Sequence, residues 1–405
     1  MRAVAGNPSQ MLIYSSAFHS GPSPVAISIT PARTATQPAL RGGMICTRLA
    51  AMKSRVLPHI NVIGETSSSR NASSGTMSSI SQLELHLQHH YGIRGVIEKL
   101  PEGQASNYLV SSGDIRWLLK VFQPEITAER ARQASDFLRY LVKEGYPVRE
   151  YQASRDGARV LTLDTRTAVL ISWIDGQTPK SNSVSSSSSL NAIGALCGKL
   201  HRLGAGYLRS TSNSLIHAAE TERTLEEQQS RLERIATEPS CATEIQEEVR
   251  ARIKILSSLG EELDRSRKVA KRGVIGGDFY CSHVVFHEGR AVGVIDVLGG
   301  EHYPGWELMR AFFQSIVMNN PQTMTIEESW PTFLAGYASE QVVERGDLAH
   351  AYDVYLLQLA GSTYGLRQPL DEGLRHFGRW RSELSYALAT RRRELRSIIT
   401  SYAVP

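Results

Sequence analysis

Cysteine is scarce in this chain of 405 residues: Cys46, Cys197, Cys241 and Cys281 stand far apart. None has the short spacing of a zinc site or a disulfide framework, which points to a reducing, cytoplasmic setting. No apolar run approaches the roughly 20 residues that a membrane-crossing helix needs, so a membrane-embedded protein is not expected. Acid is nearly missing from the first 83 residues, where Arg2, Arg33, Arg41, Arg48, Lys53, Arg55 and Arg70 face only Glu65. The remaining residues hold 38 basic and 39 acidic groups, so the net charge of +5 belongs to the N-terminal stretch. A cationic surface is therefore not what the folded part offers, which argues against nucleic acid as a partner.

Sustained periodicity is also lacking in residues 1–76, a segment rich in Ser, Ala, Thr, Pro and Arg. Such a composition predicts a disordered tail. It fits an organellar transit peptide, which would redirect the protein from the cytoplasm, or a start placed too far upstream. The second is preferred because Met77 opens a natural helix start, with Ser79 or Ser81 near its N-cap. With 405 residues, 41% of them hydrophobic, the chain has ample material for a large core or two lobes behind the tail, as monomer or homodimer.

What the chain does carry is a pair of acids at the ends of short apolar runs. Asp278 follows Val274, Ile275, Gly276 and Gly277, and Asp296 ends the run Val292 to Ile295. Between them, His287 to Arg290 reads as a Gly-containing hairpin turn joining strands Val284–Phe286 and Ala291–Ile295. One hairpin thus presents both carboxylates. Phosphoryl transfer needs this combination: one carboxylate to orient and deprotonate an attacking hydroxyl, another to hold the Mg²⁺ that bridges nucleotide phosphates. An unpaired Asp at the end of so apolar a strand would otherwise be costly.

The stretch resembles the active-site core of the aminoglycoside phosphotransferase and choline kinase family, in which His-Gly-Asp-x-x-x-x-Asn precedes a Val-Ile-Asp strand. The resemblance implies that Asp278 is the catalytic base and Asp296 a metal ligand. Two positions depart from the pattern: Gly276 stands where the family has His, and His283 where it has Asn. If His283 serves as second metal ligand, its nitrogen favours Mn²⁺ relative to Mg²⁺. Cys281 lies where the family places Pro and reads as a neutral space-filler. Further on, the segment Pro304 to Phe313 resembles the family's Gly-Pro…Asp-Leu-Ala-Arg segment, with Glu307 as the acid that braces the active-site loops and Arg310 as its companion.

The order upstream is strand, strand, strand, helix, strand, strand: Gly95–Leu100, Asn107–Val110, Ile115–Phe122, helix Ile126–Glu144, Val160–Leu163 and Ala168–Trp173. It resembles the small lobe of the kinase fold. Alternation puts Lys120 on one face with Leu118, opposite Trp117 and Leu119. A lysine in so apolar a strand requires a partner, and the resemblance makes it the phosphate-binding lysine. Glu129, the only carboxylate early in the helix, is its expected partner. Ser106 and Asn107, in the loop over the nucleotide, are expected to bond phosphate oxygens, and Trp173 and Ile174 fall in the hinge against the base. Residues 181–189 form a serine-rich loop; His201, in the helix Leu190–Leu203, is expected to be a packed helix residue; Arg391 to Arg393 are expected on a solvated face.

The expectation is an α+β, protein-kinase-like, two-lobed fold. Residues 77–176 form an N-terminal nucleotide-binding lobe of antiparallel strands plus a helix, and residues 177–405 a larger, mainly helical catalytic and substrate lobe. The resemblance implies transfer of the γ-phosphate of ATP or GTP, with Mg²⁺ or Mn²⁺, to a small-molecule hydroxyl acceptor. That acceptor could be an aminoglycoside or another antibiotic, as in antibiotic resistance, or a metabolite such as homoserine, choline or a sugar. The alternative is a catalytically impaired kinase-like protein that binds nucleotide or ligand, motivated by His283 and Gly276.

Overall fold

The computed structural model describes residues 79–100, 105–179, 186–210, 223–238, 241–317, 325–366 and 372–402. The expected tail 1–76, the tip of the first hairpin and most of the serine run lie outside these residues. The first described helix, α1 (Ile80–Tyr91), starts at Ser79, one of the two N-caps the sequence predicts, on a reciprocal cap with Gln82, and stops at Gly92.

Five strands follow, interrupted by one helix: β1 (Val96–Lys99), β2 (Ser106–Ser112), β3 (Ile115–Val121), α2 (Ala128–Lys143), β4 (Leu161–Leu163) and β5 (Arg166–Ser172). They make one antiparallel sheet in the order β1-β2-β3-β5-β4. Alternation sorts its faces. Leu119 and Val121 join Tyr108, Val110, Leu170 and the α1 residues Leu83 and Leu87 in a small core, while Leu118, Lys120 and Phe122 line a cleft on the other side. The register sets Asn107 opposite Lys120 and Lys120 opposite Val169.

The second lobe is helical, with α3 (Ser187–Ser210), α4 (Leu225–Ala236) and α5 (Thr243–Val269) leading to β6 (Gly273–Ile275) and the hairpin β7 (Val284–His287) and β8 (Arg290–Val294). Glu288 and Gly289 both take positive φ, 49° and 75°, the turn geometry that matches strand twist in a two-residue hairpin. β9 (Gly300–His302) pairs antiparallel with β6. Helices α6 (Pro304–Val317), α7 (Ile326–Ala338), α8 (Arg345–Gly361), α9 (Glu372–Thr390) and α10 (Arg392–Ser401) complete the lobe.

Helix α3 lies against α7 at unusually close range. A Cβ added to Gly194 would sit 2.1 Å from the Phe333 carbonyl, and one added to Gly336 would sit 2.0 Å from the Asn191 carbonyl. The glycines let the two backbones touch, which brings Tyr337 of α7 to His201 of α3. Of the C-terminal arginines, Arg393 is exposed as expected, but Arg392 departs from the solvated face. Arg392 pairs with the buried Asp353 at 2.9 Å and with Glu262 at 2.7 Å, because α10 packs across α8 and buries Leu395 and Ile399. No helix among the described residues is long and apolar enough to cross a membrane.

Candidate active site

Helix α6 opens with Pro304, whose missing N–H costs nothing at a helix start, and carries Glu307 in its first turn. The Glu307 side chain is fully buried. Its carboxylate accepts from the amides of Gly276 at 2.7 Å, Gly277 at 2.8 Å and Phe279 at 3.3 Å, and from His201 Nε2 at 3.1 Å. The Tyr337 hydroxyl in turn lies 2.8 Å from His201 Nδ1, so one imidazole tautomer satisfies both neighbours. Burial, then the nearby Cys197 and Glu307, push the Tyr337 phenol well up, which keeps it a donor. The relay Tyr337–His201–Glu307 therefore holds the loop that delivers Asp278. His201 is the packed, hydrogen-bonded residue that the sequence predicts, and Glu307 braces the loop.

The loop needs backbone freedom as well as bracing. Gly277 takes φ 96°, a conformation that side chains rarely adopt. Gly276 uses both backbone groups: its N–H reaches Glu307 and its carbonyl accepts from Leu298 at 3.1 Å and Gly299 at 3.0 Å. A Cβ there would approach Leu200 Cδ2 to 2.8 Å, so glycine in place of the family's histidine fits the packing around it. Cys281 is fully buried, as a space-filler should be.

Asp278 and Asp296 converge on His283. The His283 Nδ1 donates to the Asp278 carbonyl at 2.6 Å, and its Nε2 faces Asp296 Oδ2 at 3.6 Å. The other Asp296 oxygen accepts from Lys120 Nζ at 2.5 Å. Burial raises the Asp296 carboxyl, but the Lys120 ammonium and then His283 outweigh it and hold its pKa near 2. Asp296 also takes φ 59°, left-handed backbone that Asp tolerates better than most residues and that often marks functional positions. Asp278 is about half exposed and pairs with Arg310, one turn beyond Glu307 on α6. Arg310 lies over the rings of Tyr280 and Trp306, each 5.4 Å from its guanidinium carbon, so its direction is fixed. Burial lowers the Arg310 pKa, and the Asp278 charge more than reverses that.

The cleft beneath the sheet is lined by Leu118, Lys120, Phe122, Trp173, Ile174 and Asp296 among others. Trp173 and Ile174, expected at the hinge, thus line the same cleft as Lys120 and Asp296. Asn107 stands beside Lys120, and its Oδ1 is buried with no partner among the described residues. Ser106 is the residue before it at the start of β2.

One expected contact is not made. Glu129 sits exposed in the first turn of α2, and Lys120 pairs with Asp296 instead. The residue of that helix turn facing the site is Arg130, whose guanidinium donates to the Gly299 carbonyl. The reason is helical phase: residues on adjacent positions point about 100° apart, and the buried face of α2 runs through Ala131, Ala134 and Leu138. Sequence reasoning also missed Tyr337, Arg149 and Tyr151. The last two line the cleft, and no local signal marks them.

The metal that the fold family implies has a fitting pair of ligands. The Nδ1 bond leaves His283 Nε2 free to offer its lone pair, and a 3.6 Å gap to Asp296 Oδ2 is near the ~3 Å between adjacent ligands of an ion bound at about 2.1 Å. Among the described residues no group of three His, Cys, Asp or Glu is placed to hold a metal ion, so other ligands would come from phosphates and water.

The phosphotransferase enzyme family matches residues 96–297, from β1 to just past Asp296. A homoserine kinase of Zymomonas mobilis is 26% identical over 209 residues, covering 50% of this chain and 58% of that kinase. The chain therefore spans less than two thirds of that relative's length. Among solved structures, a microcompartment-associated aminopropanol kinase superposes with a TM-score of 0.60 at 18% identity, over 80% of this chain and 100% of that one. An amicoumacin kinase in complex with AMP-PNP and Ca²⁺ superposes with a TM-score of 0.59 at 15% identity, over 76% of this chain and 94% of that one. These likenesses show a shared two-lobed kinase-like fold.

Proposed function

The chain belongs to the phosphotransferase enzyme family through residues 96–297, and from that premise we propose that it moves the γ-phosphate of ATP or GTP to a hydroxyl of a small molecule. The observation that carries this reading is the chain of contacts that joins Asp278, His283, Asp296 and Lys120, with His283 between the two carboxylates. In this reading residues 77–176 bind nucleotide and residues 177–405 supply catalysis and the acceptor site.

Asp278 accepts the proton of the acceptor hydroxyl while Arg310 holds the carboxylate in place. The hydroxyl oxygen bonds to the γ-phosphorus, the bond to the bridging oxygen breaks, and the nucleoside diphosphate leaves with that electron pair. Lys120 has two further N–H donors beyond the one on Asp296, and these serve the phosphates. Ser106 and Asn107 approach them from the start of strand β2 rather than from the expected loop, and Trp173 and Ile174 flank the base. A Mg²⁺ or Mn²⁺ ion held by Asp296 and His283 would neutralise phosphate charge when bound.

A nucleotide-consumption assay with Mg²⁺ or Mn²⁺ across a panel of hydroxylated acceptors tests the reading. Acceptor-dependent release of ADP or GDP is expected. Nucleotide binding without turnover of any acceptor would favour the second reading, a kinase-like binding protein, which the imidazole at the metal-facing position supports because Mg²⁺ prefers oxygen ligands.

A further inference from the structure

The segment that begins at Asp296 is short and bent at both ends. Asp296 takes φ 59° and Gly299 takes φ 67°, so left-handed backbone opens and closes the stretch from Asp296 to Gly299. Two contacts fix its position. On one side the amides of Leu298 and Gly299 donate to the Gly276 carbonyl at 3.1 and 3.0 Å, and the Gly276 amide donates to Glu307 at 2.7 Å. Gly276 therefore joins the loop of Asp278 and the segment of Asp296 to the same buried brace. On the other side stands α2. The Arg130 guanidinium donates to the Gly299 carbonyl. Phe137, two turns along the same helix face, packs so closely that a Cβ on Gly299 would lie 2.5 Å from its ring. Conformation and space both demand glycine there.

An arginine is a destabilising way to make that contact. Arg130 is partly buried, its Nη1 is buried with no hydrogen-bond partner, and among the described residues no carboxylate pairs with it. Burial lowers its pKa and Tyr151 opposes, the direction expected of a cation without a counter-charge. A desolvated guanidinium with an idle donor stabilises a fold less than an apolar side chain of similar length would. Stability therefore does not account for Arg130. Nor does the expected Lys120–Glu129 pair tether α2, since Glu129 is exposed and Lys120 meets Asp296.

We infer that Arg130 is a positioning residue: by locking α2 onto the Gly299 carbonyl it holds Asp296 in the orientation that receives a divalent ion beside Lys120. This rests on the kinase reading. Arg130 acts through the Asp296–Gly299 backbone and touches no reacting atom, and Gly276 carries the same restraint to the loop of Asp278. The planar, directional guanidinium suits that task better than the flexible point charge of a lysine.

Calorimetry of AMP-PNP binding to the full chain, with and without Mg²⁺ or Mn²⁺, tests this without an acceptor or turnover. The ion should tighten binding to the wild type. Arg130→Met should leave the metal-free Kd within about twofold and cut the metal-dependent tightening by about tenfold, the scale of lost support behind a metal ligand. Its melting temperature should stay within about 3 °C of wild type. Arg130→Lys keeps the charge and a donor, so its tightening should fall between those of Arg130→Met and the wild type. With any acceptor that is turned over, kcat of Arg130→Met should fall by about tenfold while the acceptor KM holds. If Arg130→Met melts far lower, Arg130→Lys decides: wild-type melting with intermediate tightening supports the positioning role, and melting and tightening lost together mark a structural residue and overturn it. If acceptors are turned over and neither variant changes the metal effect or kcat, the positioning role is overturned and the kinase stands. If Arg130→Met loses the metal effect and no acceptor reacts even with wild type, the positioning role stands and the kinase reading fails. A wild type whose nucleotide binding ignores the ion overturns the positioning role whatever the turnover.

Discussion

Lys120 and Asp296, 176 positions apart in the chain, meet at 2.5 Å across the cleft between the sheet and the β7–β8 hairpin. The pair ties the nucleotide side of the site to the carboxylate side, and each partner satisfies a charge that its surroundings would otherwise penalise. Lys120→Met should therefore raise the KM for nucleotide and lower turnover by roughly 10²-fold, the scale of a lost charge-assisted contact to a phosphate. Steady-state kinetics decide it; near-wild-type values would reduce the lysine to a structural partner of Asp296.

Asp278→Asn should keep nucleotide affinity and lower turnover by about 10² to 10⁴-fold, the usual scale for lost acid/base catalysis. The amide can still accept from Arg310, so the fold around it is preserved. Turnover close to wild type would remove Asp278 from the base role.

The His283 position sets metal preference. An imidazole nitrogen suits Mn²⁺ relatively better than Mg²⁺, so the ratio of Mn²⁺- to Mg²⁺-supported turnover should exceed one, and His283→Asn should lower that ratio by raising the Mg²⁺ rate. A ratio that does not move on substitution would mean that His283 serves only to hold the Asp278 carbonyl, which it contacts at 2.6 Å.

Glu307→Gln tests the brace. The carboxylate accepts from Gly276, Gly277 and Phe279 amides and from His201, and an amide must turn an NH₂ toward at least one of these donors. Each such buried mismatch costs about 1–3 kcal/mol, so the melting temperature should drop by several degrees and turnover should fall with it. An unchanged melting curve would mean that the loop holds itself.

His302 predicts the acid side of the stability profile. It is fully buried between Tyr303 and Trp306, and burial holds its pKa down near 3, against 6.5 when free. Below pH 6.5 the unfolded chain takes up a proton that the folded one refuses, so stability falls by roughly 1.4 kcal/mol per pH unit from this group until about pH 3. Asp296 has the opposite arrangement in a lower window: with its folded pKa depressed to about 2, its contribution is complete above the free value near 3.8 and is lost only between there and 2. His302→Gln should therefore flatten the dependence of unfolding free energy on pH between 6.5 and 4 by about one proton. Parallel slopes for the two proteins would exclude it.

Much of the fold was legible in local patterns. The strand-strand-strand-helix-strand-strand order, the Ser79 cap, the β7–β8 turn and the placement of Lys120 on the cleft face all follow from alternation, turn chemistry and capping, which act over a few residues. The two carboxylates were legible for the same reason, since Asp278 follows the short apolar strand β6 and Asp296 follows β8. Partnership was not. Lys120 was expected to meet Glu129 and meets Asp296; Arg310 closes on Asp278; Arg392 turns inward to Asp353. The groups that hold Glu307, His201 and Tyr337, come from helices 136 positions apart. Sequence periodicity fixes which face of an element is buried, but which charged groups then share that interior depends on how the helices cross, and only the packed tertiary structure decides that.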